Sequence, residues 1–210
     1  MSIRVAVVGT GAVGRALAGN LVKHGIDVQI ASRADSAGKL AAALGNRARA
    51  VDTKSLGGAA DVVFLAVPAA AAVSVLEEAG GLKGAVVVDC TNPVTWEAGP
   101  VHTPPEEGSV AAQLARRFPD ARIVKAFNTF GAEFHADAAL DASTADLYLA
   151  GSDVDAKRAI SDLAKTLGFE PVDVGTLRNA RHLESLAVLW IQLATVGGKG
   201  RQVAFKLLAR

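Results

Sequence analysis

Three glycines near the start of the chain, Gly9, Gly11 and Gly14, have the type and spacing that can bind a dinucleotide. They follow an apolar stretch with strand character and open an alanine-rich stretch, the context in which G-x-G-x-x-G indicates a pyrophosphate-binding turn. The first glycine permits the tight turn, the second lets the backbone approach the phosphates, and the third lets helix and strand pack closely. We therefore expect the amides of residues 10–14 to bind an anion at a helix N-terminus, although a strand–helix turn can also favour glycine for its own geometry.

The end of the second predicted strand indicates which dinucleotide binds. NAD sites usually have an acidic residue there to bind the ribose hydroxyls, but this chain has Ala31, Ser32 and Arg33. A guanidinium can bind a 2′-phosphate through two parallel hydrogen bonds and a serine hydroxyl can add another, whereas a carboxylate would repel it. This pattern favours NADP; the alternative is a solvated arginine at a strand end.

Further candidate residues follow the later strands. Ligands of an open parallel sheet lie outside the carboxyl ends of its strands, which places the segments GTGAVG, ASRA, VPAAA, TNPV and NTFGAE on one edge. We expect Val67 and Pro68 to lie against the cofactor. Asn92 and Asn128 are expected where the nicotinamide meets its acceptor, although either could instead stabilise a loop or turn.

No familiar catalytic grouping is present in the sequence. Tyr148 has no lysine four residues on, the four histidines (His24, His102, His135, His182) lack metal-ligand spacing, and Cys90 is the single cysteine. Asp89 and Glu184 could act as acid or base, but we expect them to be structural. The sequence therefore predicts no catalytic side chain and no metal. A site without a proton donor fits hydride transfer between two bound cofactors, where positioning supplies most of the rate.

The elements that must position these residues alternate along the chain. Short β-branched runs predict strands at about 3–8, 27–31, 61–67, 85–90, 121–127, 146–150 and 171–174, and helical periods predict helices at 12–23, 36–44, 69–79, 109–117 and 155–167. Most strands are apolar on both faces, as in a parallel sheet covered by helices on each side. We predict an α/β, Rossmann-type doubly wound sheet over residues 1–178, with an irregular and functional loop at 91–108.

Residues 179–210 predict a short C-terminal helical segment. Its helix, around 181–196, is apolar nearly all round and must be buried. The rest of the chain could cover it, but a second subunit could cover it more easily, and we expect a homodimer.

Composition excludes several classes of protein. The 210 residues include 22 basic and 21 acidic ones, so there is no basic excess for nucleic acid or a membrane surface. No apolar run approaches the roughly 20 residues that span a bilayer. A first strand that begins almost at once and a single cysteine lead us to expect no signal peptide and a cytoplasmic location.

These blocks together resemble a known family. The segments VAVVGTGAVGRALA, ASR, DVVFLAVP, VVDCTNPV, VKAFNTFGAE and LRNARHLESLAVLW are similar to those of the NADPH-dependent deazaflavin reductases, the 8-hydroxy-5-deazaflavin (coenzyme F420):NADPH oxidoreductases and related bacterial dinucleotide-binding proteins. The same fold forms the reductase domain of eukaryotic membrane metalloreductases, where NADPH delivers hydride to a flavin. The resemblance implies NADP contacts at Thr10, Gly11, Ala12, Val13, Ser32, Arg33, Val67, Pro68 and Ala132.

The chain departs from this family at two places. Archaeal members have a lysine four residues after the arginine, where this chain has Ala37, with Lys39 the nearest substitute. They also have a bulky aromatic after the proline, where this chain has three alanines at 69–71. The expected function is hydride transfer between NADPH and a planar acceptor, a deazaflavin or a flavin. The alternatives are an NADPH-dependent reductase of a small imine or carbonyl compound, and a non-catalytic NADP sensor.

Overall fold

The computed structural model describes residues 3–32, 35–141 and 143–209. Within these ranges the strands are β1 Val5–Val8, β2 Val28–Ala31, β3 Ala48–Ala50, β4 Val62–Leu65, β5 Val86–Asp89, β6 Val94–Trp96, β7 Pro100–His102, β8 Arg122–Lys125, β9 Ala139–Leu140, β10 Ser143–Thr144, β11 Asp146–Gly151 and β12 Glu170–Asp173. The α-helices are α1 Ala12–Lys23, α2 Ser36–Leu44, α3 Ala72–Glu78, α4 Val110–Arg117, α5 Ala132–Ala136, α6 Val154–Thr166 and α7 Ala180–Ala194.

The main sheet has eight strands in the order β12-β11-β8-β5-β4-β1-β2-β3. Its pairs are parallel except for β8 with β11, which are antiparallel. The predicted Rossmann-like, mainly parallel α/β fold is thereby confirmed. Strands β1, β2, β4 and β5 are buried along their whole length, because helices cover both faces of the sheet.

The two faces of the sheet bury separate apolar cores. In β1, Val5 and Val7 pack into one core, while Ala6 and Val8 pack into the other. This alternation follows from the two-residue period of a strand. Because the central strands are apolar on both faces, their carboxyl ends are held at a common edge, which brings the predicted ligand-binding loops together.

The segment 91–108 differs from the predicted irregular loop. It contains the antiparallel hairpin β6–β7, in which Val94 pairs with His102 and Trp96 with Pro100. Four further short elements were not predicted either: β3, α5, β9 and β10. They contain too few residues to show a hydrophobic period. The helix predicted at 69–79 begins as a 3-10 turn at Ala69–Ala71 and becomes α-helical from Ala72.

The C-terminal helix α7 buries one face against its own chain. Leu183, Ala187 and Trp190 are buried, whereas Leu189 on the opposite face is 48% exposed. The following segment returns over the helix, and the Trp190 indole donates a 2.6 Å hydrogen bond to the carbonyl of Val203. The predicted homodimer therefore stays a prediction. Among the described helices, none is both long and apolar enough to cross a bilayer.

Candidate functional site

The glycine turn after β1 contains glycines of two kinds. Gly9 has a φ of +113°, and a Cβ added there would lie 2.1 Å from the carbonyl oxygen of Ala66. A Cβ at Gly14 would lie 2.0 Å from the carbonyl oxygen of Gly9. The protein's own packing thus requires both glycines. A Cβ at Gly11, by contrast, would meet no described atom within 4 Å, so its packing within the chain does not require glycine.

Gly11 immediately precedes α1, whose first backbone amides lie at the edge formed by the carboxyl ends of the strands. These amides have no carbonyl partners within the helix, and the helix dipole adds partial positive charge there. The first turn of α1, described in full, has no acidic side chain to compete for them. Ala12 and Val13 open this turn of α1, and Thr10 lies just before it, so their contacts with NADP stay a prediction. The turn fits the pyrophosphate of a dinucleotide, since of its three glycines Gly11 has free space beside its Cα through which an anion could approach.

Hydroxyl groups connect the first and second strand-end loops. The Oγ of Ser36 lies 2.8 Å from the Oγ1 of Thr10 and 2.9 Å from the Oγ of Ser32. The amide of Ala37 donates to the Oγ of Ser32 at 3.1 Å. Ser32 therefore lies beside the glycine turn. Ser36 lies between Ser32 and Thr10, a position that no sequence pattern indicated. Arg33 lies outside the described residues, and Lys39 is exposed on α2.

A cleft of about 460 Å³ opens beside the loop after β4. It is lined by Pro68, Ala69, Ala70, Asn92, Pro93, Val94, Thr95, Thr103, Pro104, Pro105, Val110 and Gln113. None of these lining residues has an ionisable side chain. Pro68 lies at the cleft, while Val67 is half-buried against the core formed with α3 and α4. The predicted functional loop 91–108 supplies one wall through its hairpin.

The two predicted asparagines contact each other across neighbouring strand ends. The Asn92 side-chain amide donates to the carbonyl of Asn128 at 2.8 Å, and Asn128 donates to Oδ1 of Asn92 at 2.9 Å and to the carbonyl of Leu183 at 3.1 Å. Asn92 also lines the cleft. Asn128 is only 3% exposed, and its Oδ1 finds no partner among the described residues. The pair fixes the ends of β5 and β8 to α7.

Ala132 is the first residue of α5 and is half-buried. The preceding loop is tightly held, since the buried imidazole of His135 lies 3.0 Å from the carbonyl of Gly131 and 2.9 Å from that of Phe127. Phe127 has a φ of +57°, a left-handed conformation that is strained for a large side chain. The segment that leads to Ala132 therefore has little freedom to move.

A buried cluster of charged residues lies below this edge of the sheet. Lys125 at the end of β8 is fully buried and contacts Asp89 at 2.9 Å and Glu184 at 3.1 Å. Burial lowers the pKa of Lys125, but the two carboxylates raise it more, so the net pKa lies above its usual value. Asp89 and Glu184 are completely buried, in structural positions as predicted. Lys125 was missed, although a lysine inside the apolar stretch RIVKAF was a visible signal.

The thiol of Cys90 is buried, and its surroundings disfavour the thiolate. Its side chain lies at the carboxyl end of β5, where burial raises the pKa of the thiol. In the ranges that the structure describes, no set of three or more His, Cys, Asp and Glu side chains has the arrangement of a metal site.

Comparison with known proteins identifies relatives of this chain. Residues 4–93 match a family described as NADP oxidoreductase, coenzyme F420-dependent. A solved structure of a candidate F420-dependent NADP reductase from Arthrobacter sp. FB24 is 29% identical, covers 99% of this chain and 100% of its own, and has a TM-score of 0.88. A hypothetical protein from Sinorhizobium meliloti is 30% identical, covers 100% of this chain and 97% of its own, and has a TM-score of 0.74.

A further relative is a much larger protein. Metalloreductase STEAP3 of Rattus norvegicus is 30% identical over 187 residues, which are 87% of this chain and 36% of that protein. The chain therefore spans about a third of the length of this metalloreductase.

Proposed function

We propose that this chain, which matches the family of coenzyme F420-dependent NADP oxidoreductases over residues 4–93, transfers hydride between NADPH and a deazaflavin or flavin ring. The observation that carries the proposal is the cleft beside Pro68, which lies at the carboxyl edge of the sheet and is lined without any ionisable side chain.

The proposed NADP site is supported by the geometry of the first two loops. The open approach at Gly11 and the amides of α1 would hold the pyrophosphate. The hydroxyl groups of Thr10, Ser32 and Ser36 lie together where the loops after β1 and β2 meet. A 2′-phosphate would bind there, together with Arg33. NADPH, when bound, supplies the hydride.

The proposed acceptor site is supported by the chemistry of the cleft. Reduction of a carbonyl or imine needs a proton donor at the substrate heteroatom, and the lining residues offer only amides and threonine hydroxyls. A deazaflavin or flavin ring exchanges its ring-nitrogen proton with water, so it needs no such donor from the protein. Proline, alanine and valine side chains also suit a flat heterocycle better than a charged metabolite. The three alanines after Pro68 leave room for such a ring.

A bulky residue in the cleft tests this assignment. Ala70→Trp should slow reduction of the acceptor about tenfold or more and change the dissociation constant of NADPH by less than about twofold. Ala98→Trp, at an exposed position of the β6–β7 hairpin that does not line the cleft, is the matched control. Equal loss of NADPH binding and of acceptor reduction in Ala70→Trp would place the acceptor elsewhere.

We also propose that the protein is a homodimer. Support comes from exposed apolar side chains near α7, with Trp96 58%, Leu189 48% and Val196 53% exposed. Sedimentation at micromolar concentration should give twice the mass of one chain. A mass close to 21.4 kDa would refute the dimer.

A further inference from the structure

The carboxylate of Glu184 accepts hydrogen bonds from three separate elements of the fold. Its Oε1 accepts from Lys125 Nζ at 3.1 Å and from the amide of Val110 at 2.9 Å, and its Oε2 accepts from Nε2 of His102 at 3.1 Å. The side chain is completely buried. One carboxylate on α7 therefore joins β8, the first turn of α4 and the hairpin strand β7.

One of these three donors lines the cleft, and a second is the neighbour in sequence of a lining residue. Val110 lines the cleft itself, and His102 directly precedes Thr103, which lines it too. The third donor, Lys125, also donates to the carbonyl of Thr91, the residue before the cleft residue Asn92. The bonds to Val110 and His102 thus end at, or next to, a residue that lines the cleft, and the bond to Lys125 reaches the cleft through Thr91.

The charge balance indicates why this arrangement is unusual. The ammonium group of Lys125 faces two carboxylates, those of Asp89 and Glu184, and the side chain of His102, 21% exposed, contacts the second of them. Buried ion pairs of this kind add little stability over apolar packing, and in some proteins such buried polar groups instead fix one conformation. A carboxylate has directional acceptors, so it can hold three elements at fixed separations where apolar side chains would let them slide.

We propose that Glu184 is a positioning residue that sets the shape of the acceptor cleft without touching the acceptor. It does so by holding β7 through His102 and α4 through Val110 against the end of β8. The inference rests on the proposed function only for the identity of the ligand in the cleft. The glycine turn and the Ser32–Ser36 hydroxyl groups lie outside this network, so NADP binding should not depend on it.

Three variants test the role. Glu184→Ala removes all three bonds, and it should raise the KM for the acceptor about tenfold or more with the dissociation constant of NADPH changed by less than about twofold. Glu184→Gln keeps an acceptor oxygen for Val110 and Lys125, and its amide can donate to Nε2 of His102 in the other ring tautomer, so all three contacts remain possible and its KM should stay within about threefold of the unmutated protein. His102→Ala removes only the hairpin bond and carries the same test should Glu184→Ala fail to fold.

The control is Asp146→Ala. Asp146 is also a buried carboxylate, 2% exposed. Its partner is Lys206 of the C-terminal segment, and neither residue lines the cleft. Its loss should lower stability and leave the KM for the acceptor unchanged. If Asp146→Ala and Glu184→Ala shift the same parameters equally, the effect is general destabilisation and the positioning role is wrong.

Hydrogen exchange separates this inference from the proposed function. The amide of Val110 should exchange about tenfold faster in Glu184→Ala, with the acceleration confined to residues 92–110 and the glycine turn unchanged. Unchanged exchange in 92–110 would overturn the positioning role even if deazaflavin is reduced. If the unmutated protein reduces no deazaflavin or flavin, the proposed function fails, and the exchange pattern alone decides the positioning role.

Discussion

The carboxyl edge of the sheet has two halves that are built in different ways. At the ends of β1 and β2, the candidate nucleotide site consists of backbone and small hydroxyl groups within residues 9–37. At the ends of β5 and β8, the candidate acceptor site depends on contacts of Glu184 with two side chains and one backbone amide that lie 59, 82 and 74 residues away along the chain. The first half is formed locally, whereas the second is assembled only when the whole fold closes.

This difference has a physical consequence for how each half responds to change. The glycine turn depends on close backbone approach, so adding a single carbon atom at Gly9 or Gly14 disrupts it. The acceptor half depends on buried charges, so removing one partner leaves the others without compensation in a region of low dielectric.

The largest effect should follow from breaking the buried charge cluster. Lys125→Ala leaves the carboxylates of Asp89 and Glu184 buried together, and it should lower the free energy of unfolding by roughly 3–5 kcal/mol. Lys83→Ala is the control, because its ion pair with Asp120 is 82% and 67% exposed and should matter by less than about 0.5 kcal/mol. Urea denaturation measures both. Similar values for the two variants would mean that the cluster does not stabilise the acceptor half.

Substitutions at two glycines of the turn should affect different quantities, one the free energy of unfolding and the other the affinity for NADPH. Gly9→Ala combines a positive φ with a contact of 2.1 Å to Ala66, and it should lower the free energy of unfolding by about 3 kcal/mol. Gly11→Ala meets no described atom, so it should cost less than about 1 kcal/mol yet weaken NADPH binding about tenfold. Thermal melts and NADPH titration measure the two quantities. If Gly11→Ala bound NADPH normally, the phosphates would lie elsewhere.

The smallest of these effects concerns the choice of nucleotide. Arg33→Ala should reduce the preference for NADPH over NADH by about ten- to a hundredfold, as expected for a charge-assisted hydrogen bond of roughly 1.5–3 kcal/mol. Ser36→Ala should reduce it by about fivefold, since it removes a neutral hydroxyl that contacts Thr10 and Ser32. Ser55→Ala, at an exposed position on a different loop, should have no effect. Equal affinity of the unmutated protein for NADPH and NADH would refute the NADP assignment.

Sequence patterns were sufficient for the fold and for the position of the glycine turn within it. The apolar strands and the spacing of Gly9, Gly11 and Gly14 have local causes, since burial on both faces and a tight turn restrict residue types directly. The β6–β7 hairpin was missed because its strands have only three residues each, too few for periodicity to be legible. The Lys125–Glu184 contact was missed because nothing in a linear pattern specifies which distant carboxylate meets a buried lysine.

The central claim is that this protein moves hydride between NADPH and a planar ring held in the cleft beside Pro68. The most direct test mixes the protein anaerobically with NADPH deuterated at C4 and 8-hydroxy-5-deazaflavin, with FMN and FAD in parallel reactions. The claim predicts that the absorbance of the oxidised ring disappears and that reduced deazaflavin contains the deuterium, since it accepts hydride on a ring carbon whose hydrogen does not exchange with water. Reduced FMN and FAD carry the transferred hydrogen on nitrogen, where it exchanges with water, so for them the loss of absorbance is the readout. It is contradicted if NADPH binds but neither deazaflavin nor flavin is reduced while a small imine or carbonyl compound is.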